Sequence, residues 1–484
     1  MSDKATAILA TLVVYKLALV AIGLWTARRT RDAADFFLGG RGLGPWVAAI
    51  SASASSSSAW TLLGVSGYAY AYGLSALWIL PACVGGFALN WYVLAPRLRR
   101  IARAEGALTV TDLLAGPRTS RAARAVAAVA SAIVLASLLT YVAAQFQGAG
   151  KTFHEVFGVP TTSSVLLGAG VIVLYTLLGG FWAVSVTDTL QGLLMAATAV
   201  LLPLGGLALV GGPAGLAAAI AAVDAPDYLS LAPGTTPAAI GLALGLLGIG
   251  LGYPGQPHVV NRFMALRDEA ALLRGRRIAM TWALVTYAGM IVVGLCARAL
   301  PQLAAVDDRE VVFYRLAGEA FPPLVAGIMI AAVLSATMST ADSQLLVAAS
   351  SASHDLRASE HDHRAPAALL LRARLVVVAL SAGAVAVALH GNQEIFSHVL
   401  FAWSAMGAAF GPLLLVRVLA GPVGPIASLA AMIAGFCLSV AAYATPATSG
   451  TAWERVAPFA VALAIAAWPK IQERRVTRPT SAGR

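Results

Sequence analysis

Charge is scarce in this chain. Only 11% of its 484 residues are Asp, Glu, Lys or Arg, against roughly 25% in a soluble domain. With 59% hydrophobic residues and a mean hydropathy of +0.79, water is not its main solvent. That excludes a disordered chain and a set of soluble domains. Short alternating strands are missing as well. The apolar runs last about 20 residues, the length of a membrane-spanning helix, which argues against a transmembrane β-barrel. Cysteine is rare, and Cys83, Cys296 and Cys437 all lie in apolar runs. They read as small core residues, not as a disulfide framework or a metal set. No polar-patterned stretch of about 50 residues offers an attached soluble module. No His-Glu-x-x-His or Gly-x-Ser-x-Gly lies on a suitable span, so an intramembrane enzyme is not expected.

What is present is a series of thirteen apolar runs: 6–26, 45–75, 77–95, 125–147, 162–182, 188–211, 237–257, 278–300, 323–347, 372–390, 397–416, 424–444 and 456–469. The expectation is an all-α integral membrane protein, one transmembrane domain over 1–470 with a polar tail at 471–484. The first run is followed by Arg28, Arg29 and Arg31. A signal peptide places its charges before the apolar core, so this run reads as an uncleaved span. With the N-terminus outside, strict alternation puts 26 of the 33 Lys and Arg on inner segments. Basic inner loops are the rule for inner-membrane proteins, so the net charge of +11 needs no nucleic-acid partner. The expected setting is the inner (plasma) membrane, with lipid around the bundle and the C-terminus in the cytoplasm. The inner loop around His354, His361 and His363, near Asp355 and Asp362, lacks a helix-borne ligand pattern, and a metal site is not expected there.

Two spans should not be continuous helices. Residues 51–60 of the second hold six serines, whose side chains compete for backbone hydrogen bonds. Residues 245–257 of the seventh hold five glycines and two prolines, which weaken a helix and remove donors. Close packing in the first case and a mere kink in the second remain the bland alternatives. The breaks fall five spans apart. Interrupted helices in corresponding positions are the mark of a secondary transporter built of inverted repeats, here about 45–211 and 237–416. On the ninth span Ser339, Asp342 and Ser343 share one helical face, an arrangement of oxygen donors for a hard cation. An aspartate at membrane depth is a functional-site hypothesis by default. It also suits a carboxyl paired at the inner end of its helix.

Three stretches carry a family resemblance: Phe37-Leu38-Gly39-Gly40-Arg41-Gly42-Leu43-Gly44-Pro45, Gly179-Gly180-Phe181-Trp182 through Asp188 to Gln191, and Met338-Ser339-Thr340. With Gly252-Tyr253-Pro254-Gly255-Gln256-Pro257-His258, Asn261-Arg262-Phe263-Met264 and Arg276-Arg277-Ile278 through Trp282, they resemble the sodium/solute symporter family, its proline carriers above all. The likeness runs from about residue 10 to 470. It implies a LeuT-like five-plus-five fold and sodium-coupled import of a small organic solute, an amino acid such as proline, by alternating access. It also implies a sodium ion on the carbonyls of Ala54, Ser57 and Ala336 and the hydroxyls of Ser339 and Thr340. The solute would lie against Ser58, Ala59, Tyr141, Tyr253, Gln256 and Pro257. Some members have a second cation site, matching Asp188, Ser339, Asp342 and Ser343. Ser56 stands where the proline carriers have aspartate, and Ile249 where they have tryptophan. Proton coupling and solute sensing stay open as alternatives.

Overall fold

The computed structural model describes residues 38–118, 120–178, 181–223, 225–355, 366–391 and 394–476, with positions 13, 17 and 21 before them. Apart from those three positions the first expected span lies outside the described residues, as do His361, Asp362 and His363 and the tail beyond 476. The described chain is helical: α1 Pro45–Ser56, α2 Val65–Tyr72, α3 Ile79–Ala88, α4 Ala95–Ala104, α5 Val110–Ala115, α6 Arg121–Phe157, α7 Thr161–Leu178, α8 Phe181–Leu209, α9 Gly212–Ala221, α10 Thr236–Gly248, α11 Pro257–Met264, α12 Glu269–Ala299, α13 Val312–Ala320, α14 Pro323–Ser350, α15 Pro366–His390, α16 Ile395–Ala420, α17 Pro425–Ala444, α18 Ala452–Arg455 and α19 Ala457–Val476. Each of the second to thirteenth expected spans coincides with one of these helices or a run of them. Nine described stretches are long and apolar enough to cross a bilayer by themselves. This is a multi-pass membrane protein. The end carrying the basic loops 96–124 and 259–277 is called inner below.

Burial separates core from rim. The apolar windows of α14 and α16 are 83% buried, those of α15 and α17 only 28%, so the first pair forms the centre and the second the rim. Helix starts are set by local chemistry. Ser120 and Asp268 cap α6 and α12 by accepting from Ala123 and Ala271 N–H, and Thr109 forms a capping box with Asp112 on α5. Gly73 turns the chain between the second and third spans at φ +58, and a Cβ there would collide with the Tyr228 carbonyl.

Both anticipated breaks are present. Helix α1 ends at Ser56, Ser57 leaves helical geometry (φ −101, ψ 76), and the chain resumes as a π-turn at Trp60–Gly64 leading into α2. The unwinding is narrower than the serine run suggested. Ser56 Oγ donates to the Ser53 carbonyl, 2.9 Å away, and Ser51 and Ser55 spend their hydroxyls on a neighbouring carboxylate. Helix α10 ends at Gly248, a 3-10 segment covers Ile249–Gly255, and Gln256 is extended before α11. A Cβ on Gly255 would meet the Met406 carbonyl and lie 2.5 Å from Gly407 Cα, so glycine is needed where this segment crosses α16.

At the inner end the two broken spans are strapped together. Leu43 N–H donates to the Ala265 carbonyl (3.1 Å) and Arg267 N–H to the Leu43 carbonyl (3.0 Å), an isolated parallel bridge. Arg41 donates to the carbonyls of Ala102 and Ala107, and Arg103 to that of Leu266 at 2.8 Å.

Candidate functional site

The first break exposes the carbonyl end of α1 in the middle of the bundle, against the inner half of α14. There Ser339 Oγ lies 3.5 Å from the Ala54 carbonyl oxygen and 3.3 Å from that of Ala336. Thr340 Oγ1 lies 3.5 Å from the Ala54 oxygen and 3.2 Å from that of Ser55. All of these residues are fully buried. A cation with oxygen ligands at about 2.4 Å needs neighbouring ligands about 3.4 Å apart on an octahedron. The spacings match that requirement better than optimal hydroxyl–carbonyl hydrogen bonds near 2.7–2.8 Å. Of the five oxygens expected around sodium, those of Ala54, Ala336, Ser339 and Thr340 converge. Ser57 is adjacent, its hydroxyl accepting from Trp282 Nε1 at 3.1 Å.

The residues expected to touch solute surround the same break. Ala59 N–H donates to Gln145 Oε1 (3.2 Å), and Trp60 N–H to Ser58 Oγ (3.2 Å). Tyr141 OH accepts from Trp403 Nε1 at 2.8 Å, and the hydroxyls of Tyr253 and Tyr287 are 2.7 Å apart. Gln256 Nε2 donates to the Gly252 carbonyl, and Pro257 opens α11. Trp403 is the hub. It meets Tyr253 edge-on at 4.4 Å and Trp60 at 5.8 Å. Gln145 Nε2 and Gln256 Oε1 are buried without a hydrogen-bond partner. Such atoms in a native interior call for a ligand or water. On the outer side Trp60, Phe396 and Tyr68 stack into a plug, with Tyr68 and Phe396 4.9 Å apart.

The four residues expected at a second cation site divide. Asp188 and Ser343 meet, Ser343 Oγ donating to Asp188 Oδ2 at 3.3 Å. Ser339 faces the first set, while Asp342 Oδ1 accepts from Ser343 N–H at 2.7 Å. Arg262, which lies in a stretch that carries the family resemblance but was given no site role, reaches in from α11. Its Nη2 lies 2.8 Å from Asp188 Oδ2. Gln145 and Trp403 were also missed, and Trp282 stood only as part of a family stretch. Gln145 had a signal, since it follows Tyr141 by one helical turn.

Lower still, Asp112, His354 and Asp355 place ligand atoms within 4.8 Å of one another. Arg118 Nη2 lies between the two carboxylates, 2.6 Å from Asp112 and 3.2 Å from Asp355, so a cation already occupies that position. Burial pushes the Asp112 carboxyl up, but the bond from His354 and the charge of Arg118 outweigh it and hold it below its usual range.

The description "Sodium:solute symporter family" fits residues 36–435. This chain belongs to that family. Among relatives, it is 37% identical to the osmoregulated proline transporter of Bacillus subtilis, over 88% of this chain and 87% of that one. It is 35% identical to the high-affinity proline transporter of the same organism (92% and 94%) and to the sodium/proline symporter of Escherichia coli (89% and 86%). In fold it is similar to a substrate-bound, outward-open sodium-coupled sialic acid symporter, with a TM-score of 0.78 at 19% identity over 96% of this chain and 98% of that one. A nucleobase-cation symporter in a closed conformation follows at 0.57, with 12% identity, over 93% of this chain and 97% of that one.

Proposed function

We propose that this protein is a sodium-driven importer of proline, working by alternating access with its N-terminus outside. The observation that carries the reading is the set of four oxygens on Ala54, Ala336, Ser339 and Thr340. They join a broken helix to an intact one at the spacing an alkali ion requires. Sodium there ties α1 to α14, and its charge rests on the carbonyl pole at the end of α1. The solute carboxylate would lie toward the positive N-terminal ends at Ala59 and Pro257, where the orphan Gln145 Nε2 can donate to it, while the orphan Gln256 Oε1 can accept from the solute's ammonium. Its apolar ring would pack on Trp60, Tyr141, Tyr253 and Trp403. The names of the relatives favour proline as that solute.

The test is uptake of labelled proline into proteoliposomes. Uptake should require an inward sodium gradient and disappear when potassium replaces sodium. Uptake that follows a pH gradient without sodium would overturn the reading.

A further inference from the structure

We propose that Arg262 is the second cation of this carrier: its guanidinium takes the place beside Asp188 and Ser343 that a second sodium would fill, so each solute crosses with a single sodium. This rests on the sodium-driven reading above.

Arg262 is 2% exposed and Asp188 is fully buried. Arg262 Nη2 donates to Asp188 Oδ2 (2.8 Å) and Ser343 Oγ (2.6 Å), Nε to Ser51 Oγ (2.8 Å), and Nη1 to the His258 carbonyl. Ser51 and Ser55 also donate to Asp188 Oδ2, at 2.9 and 3.0 Å. The guanidinium therefore sits in a cradle of hydroxyl, carbonyl and carboxylate oxygens from α1, α8, α11 and α14. That donor set would suit sodium. Ser343 lies one turn along α14 from Ser339, so two cation positions stand side by side on the α1–α14 seam. Sodium oxygens line one and a side chain fills the other.

Electrostatics decides between the two occupants. With Arg262 in place Asp188 is already neutralised. A sodium about 4 Å from the guanidinium would lose roughly a thousandfold in affinity at the effective dielectric of a protein. Asp188 Oδ1 has no hydrogen-bond partner, and it offers a ligand once the guanidinium is removed. Arg262 differs from an ion in one respect: it is tethered. Its charge cannot leave the protein with the solute.

The test is the ratio of sodium to proline fluxes in proteoliposomes, read with radiosodium and tritiated proline. Wild type should carry one sodium per proline. Arg262→Gln should raise the ratio toward two and steepen the sodium dependence of uptake. Adding Asp188→Asn to Arg262→Gln should return the ratio to one, and Arg262→Lys, which keeps the charge, should hold it at one. A wild-type ratio of two, or a ratio of one in Arg262→Gln, overturns the proposal. Should Arg262→Gln fail to fold, Asp188→Asn alone decides: a ratio of one in both it and wild type supports the proposal, and a fall from two to one overturns it. Proline flux that ignores sodium altogether condemns the transport reading instead.

Discussion

The inner and outer ends of the bundle are both closed by a buried carboxylate and one basic side chain, yet they are built differently. At the inner end Asp188 is held only by side chains, those of Arg262, Ser51, Ser55 and Ser343. At the outer end Glu310, 1% exposed, accepts from Lys151 Nζ at 2.7 Å and from the backbone N–H groups of Ile395 and Phe396 at 3.1 and 2.8 Å. Lys151 also reaches Asp308 at 2.6 Å, and Arg309 pairs with Glu394. The outer carboxylate thus caps a central helix and is part of its structure. The inner one faces groups that can rearrange without unmaking any helix. One end is a joint and the other a clasp.

The largest expected effect tests the ion side of that contrast. Replacing Ser339 by Ala together with Thr340 by Val removes two ligands worth about 1.5–3 kcal/mol each as hydrogen-bonding groups to a charge. The sodium concentration for half-maximal proline uptake should rise at least about a hundredfold. A change under threefold would break the assignment. Next, Glu310→Ala leaves Lys151 short of a partner and uncaps α16, and should destabilise the protein by about 2–4 kcal/mol. Detergent-solubilised melting curves would read this, with Glu310→Gln losing less. The sodium dependence of any remaining uptake should stay within about twofold. A strong sodium effect would erase the distinction between joint and clasp.

Smaller is the loss from Trp403→Phe, which removes the bond to Tyr141 OH and about 1 kcal/mol. Proline half-saturation should rise about fivefold with sodium dependence unchanged. The smallest effect concerns Asp112. Its folded-state pKa is depressed, so the stability it adds is present above its unfolded value near pH 3.9 and is lost as pH falls through the folded value. Melting temperature should drop more steeply below about pH 4 in wild type than in Asp112→Asn.

The broken spans were legible because their causes are local: serines at 51–58 and glycines and prolines at 245–257 act on their own backbone. The extent of unwinding was not. It depends on where Ser51 and Ser55 send their hydroxyls, which is set by Asp188 on another helix. The oxygens proposed for sodium came from family likeness, since hydroxyls and backbone carbonyls carry no signature of their own. Trp403 was hidden for a different reason. It works through Tyr141, 262 positions away, and nothing local distinguishes it from an interfacial aromatic. Arg262 lies in a stretch that carries the family likeness, but its role was not legible, because its burial follows from α11 packing beside α1.

The short bridge between Leu43 and Leu266 sets how this machine can move. Two backbone hydrogen bonds couple the inner segments of the interrupted rods, so neither can swing alone without tearing that seam. Any opening at the inner end that keeps this bridge must then carry both segments together, as one lever.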